Sequence, residues 1–215
     1  MKKGFLYVAL CLFSISAYSQ TKAIYTNPEF STLAKDHKKL AILPFKAIVS
    51  LRPNQMKKLT PEQFEKLQKD EGKAIQSALH TYFLKKQNQK GYTVSFQDVG
   101  TTNAILKKNE ISEENIDEYT SDELAKLLEV DGIISGTLNT NKPMSDGASL
   151  ALGVLVGFYG STNSGKISIN IKDGKTDALL WKYDKTLSRS LGSDTNTVVN
   201  AIMRKASRKF PYIEL

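Results

Sequence analysis

The sequence predicts an α/β (α+β) protein with a mixed sheet of about five strands and helices packed on it. Two observations support this class. Apolar residues recur at helical spacing after capping signatures, and shorter segments with alternating apolar residues lie between them. The order along the chain is strand, helix, strand, helix, helix, strand, apolar insert, hairpin and helix, which is typical of a mixed sheet.

The N-terminus has the features of a secretory signal peptide. The chain begins MKK, continues with an apolar run over residues 5–15 and reaches AYS just before Gln20. This run is shorter than the roughly 20 residues that span a bilayer. We therefore expect cleavage after Ser19, a single α/β domain over residues 20–215, and a location in the periplasm or at the outer membrane.

Cys11 is the only cysteine in the chain. Leu10 precedes it and the apolar run continues past it, whereas the acylated cysteine of a bacterial lipoprotein follows a small residue at the end of such a run. We expect Cys11 to leave with the signal peptide. The mature chain then has neither disulfides nor thiolate metal ligands.

Two predicted strands flank the first predicted helix. The apolar run at residues 39–45 is a candidate buried strand that Pro44 ends or kinks. Residues 92–96, YTVSF, alternate as a strand. Residues 20–37 are predicted to be irregular, and residues 46–59 to form a basic connection.

Capping signatures mark the predicted helices. The sequence TPEQ opens a helix over about residues 60–86, with Pro at its first position and a capping box. A second capping box, TSDE at residues 120–123, opens a shorter helix, and residues 101–106 form another. A terminal helix is predicted from a cap at Ser193 and Asp194 through Phe210.

Strand patterns fill the second half of the chain. Residues 133–138, IISGTL, form a candidate central strand after the turn VDG. Residues 166–172 alternate strictly, Asp173 and Gly174 form a turn, and residues 179–183 alternate back. This pattern predicts a β-hairpin.

A Gly-rich apolar insert occupies residues 145–165, with its densest apolar part at residues 148–160. Small residues at every fourth position favour a helix, while apolar residues at every second position favour a strand. We expect the helix, because close packing along the small residues offsets a cost of about 1 kcal/mol per glycine. It is the candidate partner or membrane contact, through Leu150, Leu152, Gly153, Val154, Val156, Gly157, Phe158 and Tyr159.

The end of this insert resembles a phosphate-binding loop without matching it. Gly160, Gly165 and Lys166 fit the pattern, but Ile167 stands where a hydroxyl should reach the magnesium ion. The residues that follow alternate as a strand, although a phosphate loop must open a helix. We therefore expect a turn and no nucleotide binding.

The sequence favours no nucleic acid, cofactor or metal site. The net charge of +8 comes from dispersed lysine and arginine pairs without interleaved aromatic residues. His37 and His80 are the only histidines, and Lys38 beside His37 disfavours a bound cation. Asp131 is explained by a turn before a strand. The acidic cluster lacks the residue spacing of a calcium-binding loop, and we interpret it as a solvated face; its members are Glu110, Glu113, Glu114, Asp117 and Glu118.

Several passages together resemble a family of bacterial envelope proteins. These are KKLAILPF, AKLLEVDGIISGTL, a hairpin ending LLWKYD, and the terminal helix, all within residues 38–210. The family shares a TolB N-terminal-like α/β domain and includes CsgG-type and LpoB-type proteins and uncharacterised periplasmic lipoproteins. The Ser19-Gln20 junction is similar to exported proteins of the Bacteroidetes. The resemblance implies a non-enzymatic envelope component, and in channel-forming members inserted segments span the membrane.

We therefore expect an exported cell-envelope protein with a binding, assembly or transport-accessory role. It would act through protein–protein or membrane contacts, with homo-oligomerisation left open and with no catalytic residue, cofactor, nucleotide or nucleic acid. Two alternatives remain. One is a secretion-channel subunit, and the other is an exported hydrolase of unknown substrate that uses Asp131 or the acidic cluster.

Overall fold

The computed structural model describes residues 22–141, 165–187, 195–206 and 208–213. Its strands are β1 (Lys22–Thr26), β2 (Lys39–Ile42), β3 (Lys46–Val49), β4 (Ser95–Phe96), β5 (Gly132–Thr140), β6 (Gly165–Asp173) and β7 (Leu179–Leu187). They form one seven-stranded sheet in the order β1-β7-β6-β5-β2-β4, with β3 also paired to β5. Pairs among β2, β3, β4 and β5 are parallel, and pairs among β5, β6, β7 and β1 are antiparallel. The predicted mixed sheet is confirmed.

Helices cover one face of this sheet and part of the other. They are α1 (Phe30–Leu33), α2 (Pro53–Met56), α3 (Pro61–Lys90), α4 (Val99–Lys108), α5 (Ser121–Leu128) and α6 (Thr195–Ala206). The main apolar core joins α3 and α6 to one face of the sheet. A smaller core joins α4 and α5 to the other face, over β2 and the start of β5. The rest of this second face carries no described helix.

The helix starts follow the capping signatures. The Thr60 hydroxyl accepts a hydrogen bond from the Gln63 amide, and Gln63 Oε1 accepts one from the Thr60 amide at 3.0 Å. At the start of α5, Glu123 Oε2 accepts hydrogen bonds from the Thr120 amide at 2.8 Å and from the Thr120 hydroxyl at 3.0 Å, in a second capping box. Both predicted capping boxes are confirmed. Helix α4 begins earlier than predicted, because the Asp98 carboxylate accepts a hydrogen bond from Thr101 N at 2.9 Å.

Two strands lie where irregular segments were expected, so the prediction of about five strands was too low. Strand β1 falls within residues 20–37 and pairs with β7, with Ile24 opposite Tyr183. Strand β3 falls within residues 46–59 and pairs with β5. Both are short, and their backbone partners are distant in sequence, so local pattern alone could not define them.

The C-terminal helix ends earlier than predicted. Helix α6 ends at Ala206, and Phe210 leaves the helical path to join an aromatic cluster. Its ring centroid lies 5.0 Å from those of Phe83 and Tyr92. The indole of Trp181 donates to the carbonyl of Lys209 at 3.0 Å. The predicted cap at residues 193 and 194 lies outside the described residues.

The hairpin of β6 and β7 confirms the predicted alternation. Ile167, Ile169 and Ile171 are fully buried against α3 and α6. Ser168 and Asn170, between them, therefore face the opposite side of the sheet. The apolar insert between β5 and β6 lies outside the described residues, apart from Gly165. In the part of the chain that the structure describes, no helix combines the length and apolar character needed to cross a membrane.

Candidate functional site

On the part of the second sheet face that no described helix covers, six polar side chains lie in two adjacent rows. Ser135 on β5 lies opposite Asn170 on β6, which lies opposite Lys182 on β7. Along the same strands the next row on this face is Thr137, Ser168 and Asp184. We call these six residues the polar array. Pairing on both sides fixes β5, β6 and β7, so the array is held on a rigid base.

The polar array is poor in internal partners. Its hydroxyl and amide side chains are half-buried and form no hydrogen bond within the described residues; they are Ser135, Thr137, Ser168 and Asn170. Asp184 Oδ1 is buried and also accepts no hydrogen bond from the described chain. Its other oxygen, Oδ2, lies 3.7 Å from Lys182 Nζ. Buried polar atoms such as Asp184 Oδ1 usually have partners, and the other four groups can bond water or an external ligand.

A cleft of about 280 Å³ adjoins the polar array where β2 and β3 separate. Strand β2 pairs with β5 as far as Ile134, and β3 resumes the pairing at Thr137. Residues 43–45 connect the two strands and leave a gap above β5. The cleft is lined by both rows of the array through Ser135, Thr137 and Asn170.

Gly136, at the floor of this cleft, allows Phe45 to pack closely against β5. A Cβ atom on Gly136 would lie 2.1 Å from the carbonyl oxygen of Ser168 and 2.3 Å from Phe45 Cε1. The absence of a side chain therefore lets the Phe45 ring pack against β5 on the helix-covered face. Phe45 fills the core while Pro44, its neighbour, lines the cleft on the other side.

The acidic segment of residues 110–118 forms one wall of the cleft. Asp117 Oδ2 pairs with Lys46 Nζ at 2.5 Å. Glu113 Oε1 lies 3.7 Å from Lys73 Nζ. Glu113 Oε1 is buried and accepts no hydrogen bond from the described residues. Hydrogen bonds from Lys69 and Ser112 hold the pKa of Glu114 at about 2. The segment lies at the surface, as predicted, but ion pairs to the sheet and to α3 fix its position.

Asp131 has a structural role in the chain reversal before β5. Its Oδ2 atom accepts hydrogen bonds from the backbone amides of Lys38 and Lys39 at 2.8 and 2.9 Å. It therefore joins the start of β2 to the start of β5. Burial opposes ionisation of Asp131, but these two amide hydrogen bonds outweigh it and lower its pKa.

A buried polar network lies next to Asp131. His37 Nε2 donates to Asp173 Oδ1 at 2.8 Å, and the Tyr212 hydroxyl lies 2.8 Å from His37 Nδ1. Burial raises the pKa of Asp173, but hydrogen bonds from Thr176 and His37 outweigh this effect and lower it. The network joins the start of β2, the end of β6 and the C-terminal residues. Sequence reasoning missed it, because its members are far apart in the chain.

Acid is expected to destabilise the fold through these carboxylates. Asp131, Asp173 and Asp177 have folded-state pKa values below their ordinary value. Each therefore contributes stability that is present above the unfolded-state pKa of about 4 and is lost as pH falls through the folded-state pKa. Urea denaturation at a series of pH values below about 5 measures this loss. Asp131→Asn keeps an accepting oxygen but removes the titration, so its acid profile should be shallower, and an unchanged profile would contradict the assignment.

The structure describes some of the residues considered from the sequence as site candidates and leaves others undescribed. Leu150 through Tyr159, the candidate contact, lie outside the described residues. His80 is half-buried on α3, and burial lowers its pKa while Asp98 partly opposes this. Among the described residues, no three His, Cys, Asp or Glu side chains are placed to hold a metal ion. The alternation in β6 already indicated which side chains share the open face, but the cleft depends on contacts that sequence does not show.

Comparison with known proteins gives similarity of fold alone. No protein-family model matches the chain. No curated protein matches it in sequence. Similar solved structures include a PelC dodecamer from Paraburkholderia phytofirmans, with 13% identity and a TM-score of 0.41 over 86% of this chain and 92% of that chain. A fold does not define a function, which depends on the residues of the site.

Two further solved structures show a low likeness in the same range. Lipoprotein GNA1162 from Neisseria meningitidis has 11% identity and a TM-score of 0.41, covering 80% of this chain and 99% of that chain. The LpoB C-terminal domain from Salmonella enterica has 10% identity and a TM-score of 0.36, covering 74% of this chain and 93% of that chain.

Proposed function

We propose that this protein is an exported cell-envelope component with a non-enzymatic binding or assembly role. The observation that carries the proposal is the polar array beside the cleft, where half-buried polar side chains lack partners in the described chain. Such convergent polar groups next to a cleft are typical of a binding site. The signal-peptide pattern of residues 1–19 supports export, with Gln20 as the mature N-terminus.

The apolar segment at residues 148–160 is the second contact in this proposal. It is uncharged, and it carries the candidate contact residues from Leu150 to Tyr159. Thr140, the last residue of β5, pairs with Gly165, the first residue of β6, and the segment lies between these two residues in the sequence. An apolar stretch at this place suits a partner protein, a second copy of the chain or a membrane surface.

The non-enzymatic role is supported by the partners that Asp131 and most carboxylates of the acidic segment already have in the fold. The amides of Lys38 and Lys39 occupy Asp131, and lysines pair with Asp117 and Glu114 of the acidic segment. A hydrolase needs a carboxylate that is free to transfer a proton, and in this segment Glu113, whose Oε1 accepts no hydrogen bond from the described chain, is left for that role. If Asp131→Asn abolished a screened hydrolytic activity in a folded protein, the exported-hydrolase alternative would replace this proposal.

Cell fractionation with site-specific crosslinking tests the proposal. A photoreactive residue is placed at Thr137 in the polar array, at Phe158 in the apolar segment, or at Leu84, an exposed control on α3. We expect an envelope location, a mature chain beginning at Gln20, and crosslinks to envelope material from positions 137 or 158 but not from position 84. A cytoplasmic location, or equal crosslinking from all three positions, would overturn the proposal. Ring-shaped oligomers in detergent would indicate the secretion-channel alternative.

A further inference from the structure

We propose that the polar array and the cleft bind a neutral glycan, with one sugar ring seated in the cleft. This inference rests on the proposed function, in which the sheet face that carries the polar array is a binding surface, and it names the chemical class of the ligand. Three features of the face support it. These are its unpartnered hydrogen-bonding groups, the pairing of its charges, and the size and lining of the cleft.

The unpartnered groups match a ligand with many hydroxyls. The side chains of Ser135, Thr137 and Asn170 line the cleft, and each can both donate and accept hydrogen bonds. Two buried carboxylate oxygens can only accept, namely Glu113 Oε1 at the wall of the cleft and Asp184 Oδ1 in the array. Neither has a hydrogen-bond donor within the described chain. A sugar supplies donors to such carboxylates and acceptors to the neighbouring hydroxyl and amide groups.

The paired charges of the polar array and of the cleft indicate a neutral ligand. Lys46 pairs with Asp117 at 2.5 Å, and Lys172 pairs with Asp177 at 3.0 Å. Lys182 Nζ similarly lies 3.7 Å from Asp184 Oδ2. Every lysine of the array and the cleft thus has a carboxylate beside it, whereas Lys166, one row beyond Ser168, is exposed and has no ion pair within the described residues. A phosphate or polyanion site would instead present unpaired cations, because binding depends on neutralising the anion.

The size and walls of the cleft suit one ring of a longer chain. Its volume of about 280 Å³ is at the low end of ligand pockets. Tyr119 lines it and is 38% exposed. The ring of a partly exposed tyrosine offers an apolar surface to the C–H face of a sugar while its hydroxyl stays in water. Further sugar rings can extend over Ser168 and the rest of the array.

An extended peptide that adds as a strand fits the face less well. Both neighbours of β5 and of β6 are paired strands, so these central strands offer no free edge to which a peptide could add.

Calorimetric titration of the mature chain with neutral saccharides tests the inference. The probes are tetrasaccharides of glucose and of N-acetylglucosamine, together with sedimentation on protein-free cell-wall glycan. We expect binding of at least one neutral probe, with an affinity that stays constant between about 0.05 and 0.5 M salt, because screening affects charged ligands. Asn170→Ala and Thr137→Val should weaken binding about threefold to tenfold, the effect of one lost hydrogen bond.

Matched variants separate the site from general effects of substitution. Asn88→Ala and Thr81→Val change the same residue types at exposed positions of α3, on the other side of the sheet, and should bind like the wild type. Amide chemical shifts of the wild-type protein give a second readout that needs no substitution. On adding the saccharide, shifts should change on β5 and β6 and remain constant on α3.

The possible outcomes distinguish this inference from the proposed function. Binding only to an anionic polymer such as polygalacturonate, lost on adding salt, would overturn the glycan assignment. So would the absence of binding to every neutral probe. If position 137 still crosslinked to an envelope protein, the proposed function would stand with a protein ligand. If neither glycan binding nor crosslinking occurred at the array, both would be wrong.

Discussion

Replacing Phe83 by alanine is expected to lower the free energy of unfolding by about 3–5 kcal/mol. The ring is fully buried at the junction of α3, β4 and the C-terminal residues. Its centroid lies 4.6 Å from that of Phe96 and 5.0 Å from that of Phe210. The substitution removes these aromatic contacts and leaves a cavity, and the loss is a large part of a total stability of about 5–15 kcal/mol.

Urea denaturation of the mature protein, followed by circular dichroism, measures this effect. Leu84→Ala is the matched control, because Leu84 is the next residue on α3 and is 42% exposed. Its effect is expected to stay within about 0.5 kcal/mol. Equal losses for the two variants would show that α3 presents a different face to the sheet from the one described.

Replacing Gly72 by alanine is expected to destabilise the protein by about 1–3 kcal/mol, although alanine is the better helix former. An alanine in a helix interior is ordinarily favoured over glycine by about 1 kcal/mol. Here a Cβ atom would lie 2.0 Å from the carbonyl oxygen of Phe45 and 3.1 Å from its carbonyl carbon. Both are backbone atoms, so relief requires α3 to move away from the connection between β2 and β3.

Thermal denaturation of Gly72→Ala beside Ser77→Ala tests this expectation. Ser77 lies on the exposed side of the same helix, so its replacement reports the helix propensity alone. We expect the melting temperature to fall for Gly72→Ala and to stay the same or rise slightly for Ser77→Ala. A rise for both variants would contradict the close approach of α3 to Phe45. Because Leu43 and Pro44, which precede Phe45, line the cleft, a folded Gly72→Ala protein should also bind the cleft ligand more weakly.

Local chemistry explains the elements that could be predicted. Thr60 and Gln63 satisfy the first amides of α3 through side chains three residues apart, and the same spacing opens α5. The strict alternation of β6 places its isoleucines in the core whatever the partner strand is. Signals of this kind act within a few residues, so the sequence shows them directly.

The missed elements depend on distant partners. Strand β1 is defined by its pairing with β7, from the opposite end of the chain. Phe210 leaves the helical path because the rings of Phe83 and Tyr92 provide its contacts. The hydrogen-bond partners of His37 are similarly distant in sequence, namely Asp173 and Tyr212. No pattern near these residues contains that information.

The sequence by itself determined the helix starts, the hairpin, the mixed α/β class and the pattern expected for an exported chain, because short-range spacing and composition control them. It also determined that Ser168 and Asn170 share one face of β6. Only the tertiary structure decided that no described helix covers this face, and that the break between β2 and β3 opens a cleft beside it. The physical reason is that burial and hydrogen-bond partners depend on which distant segments pack together, a property of the folded chain as a whole.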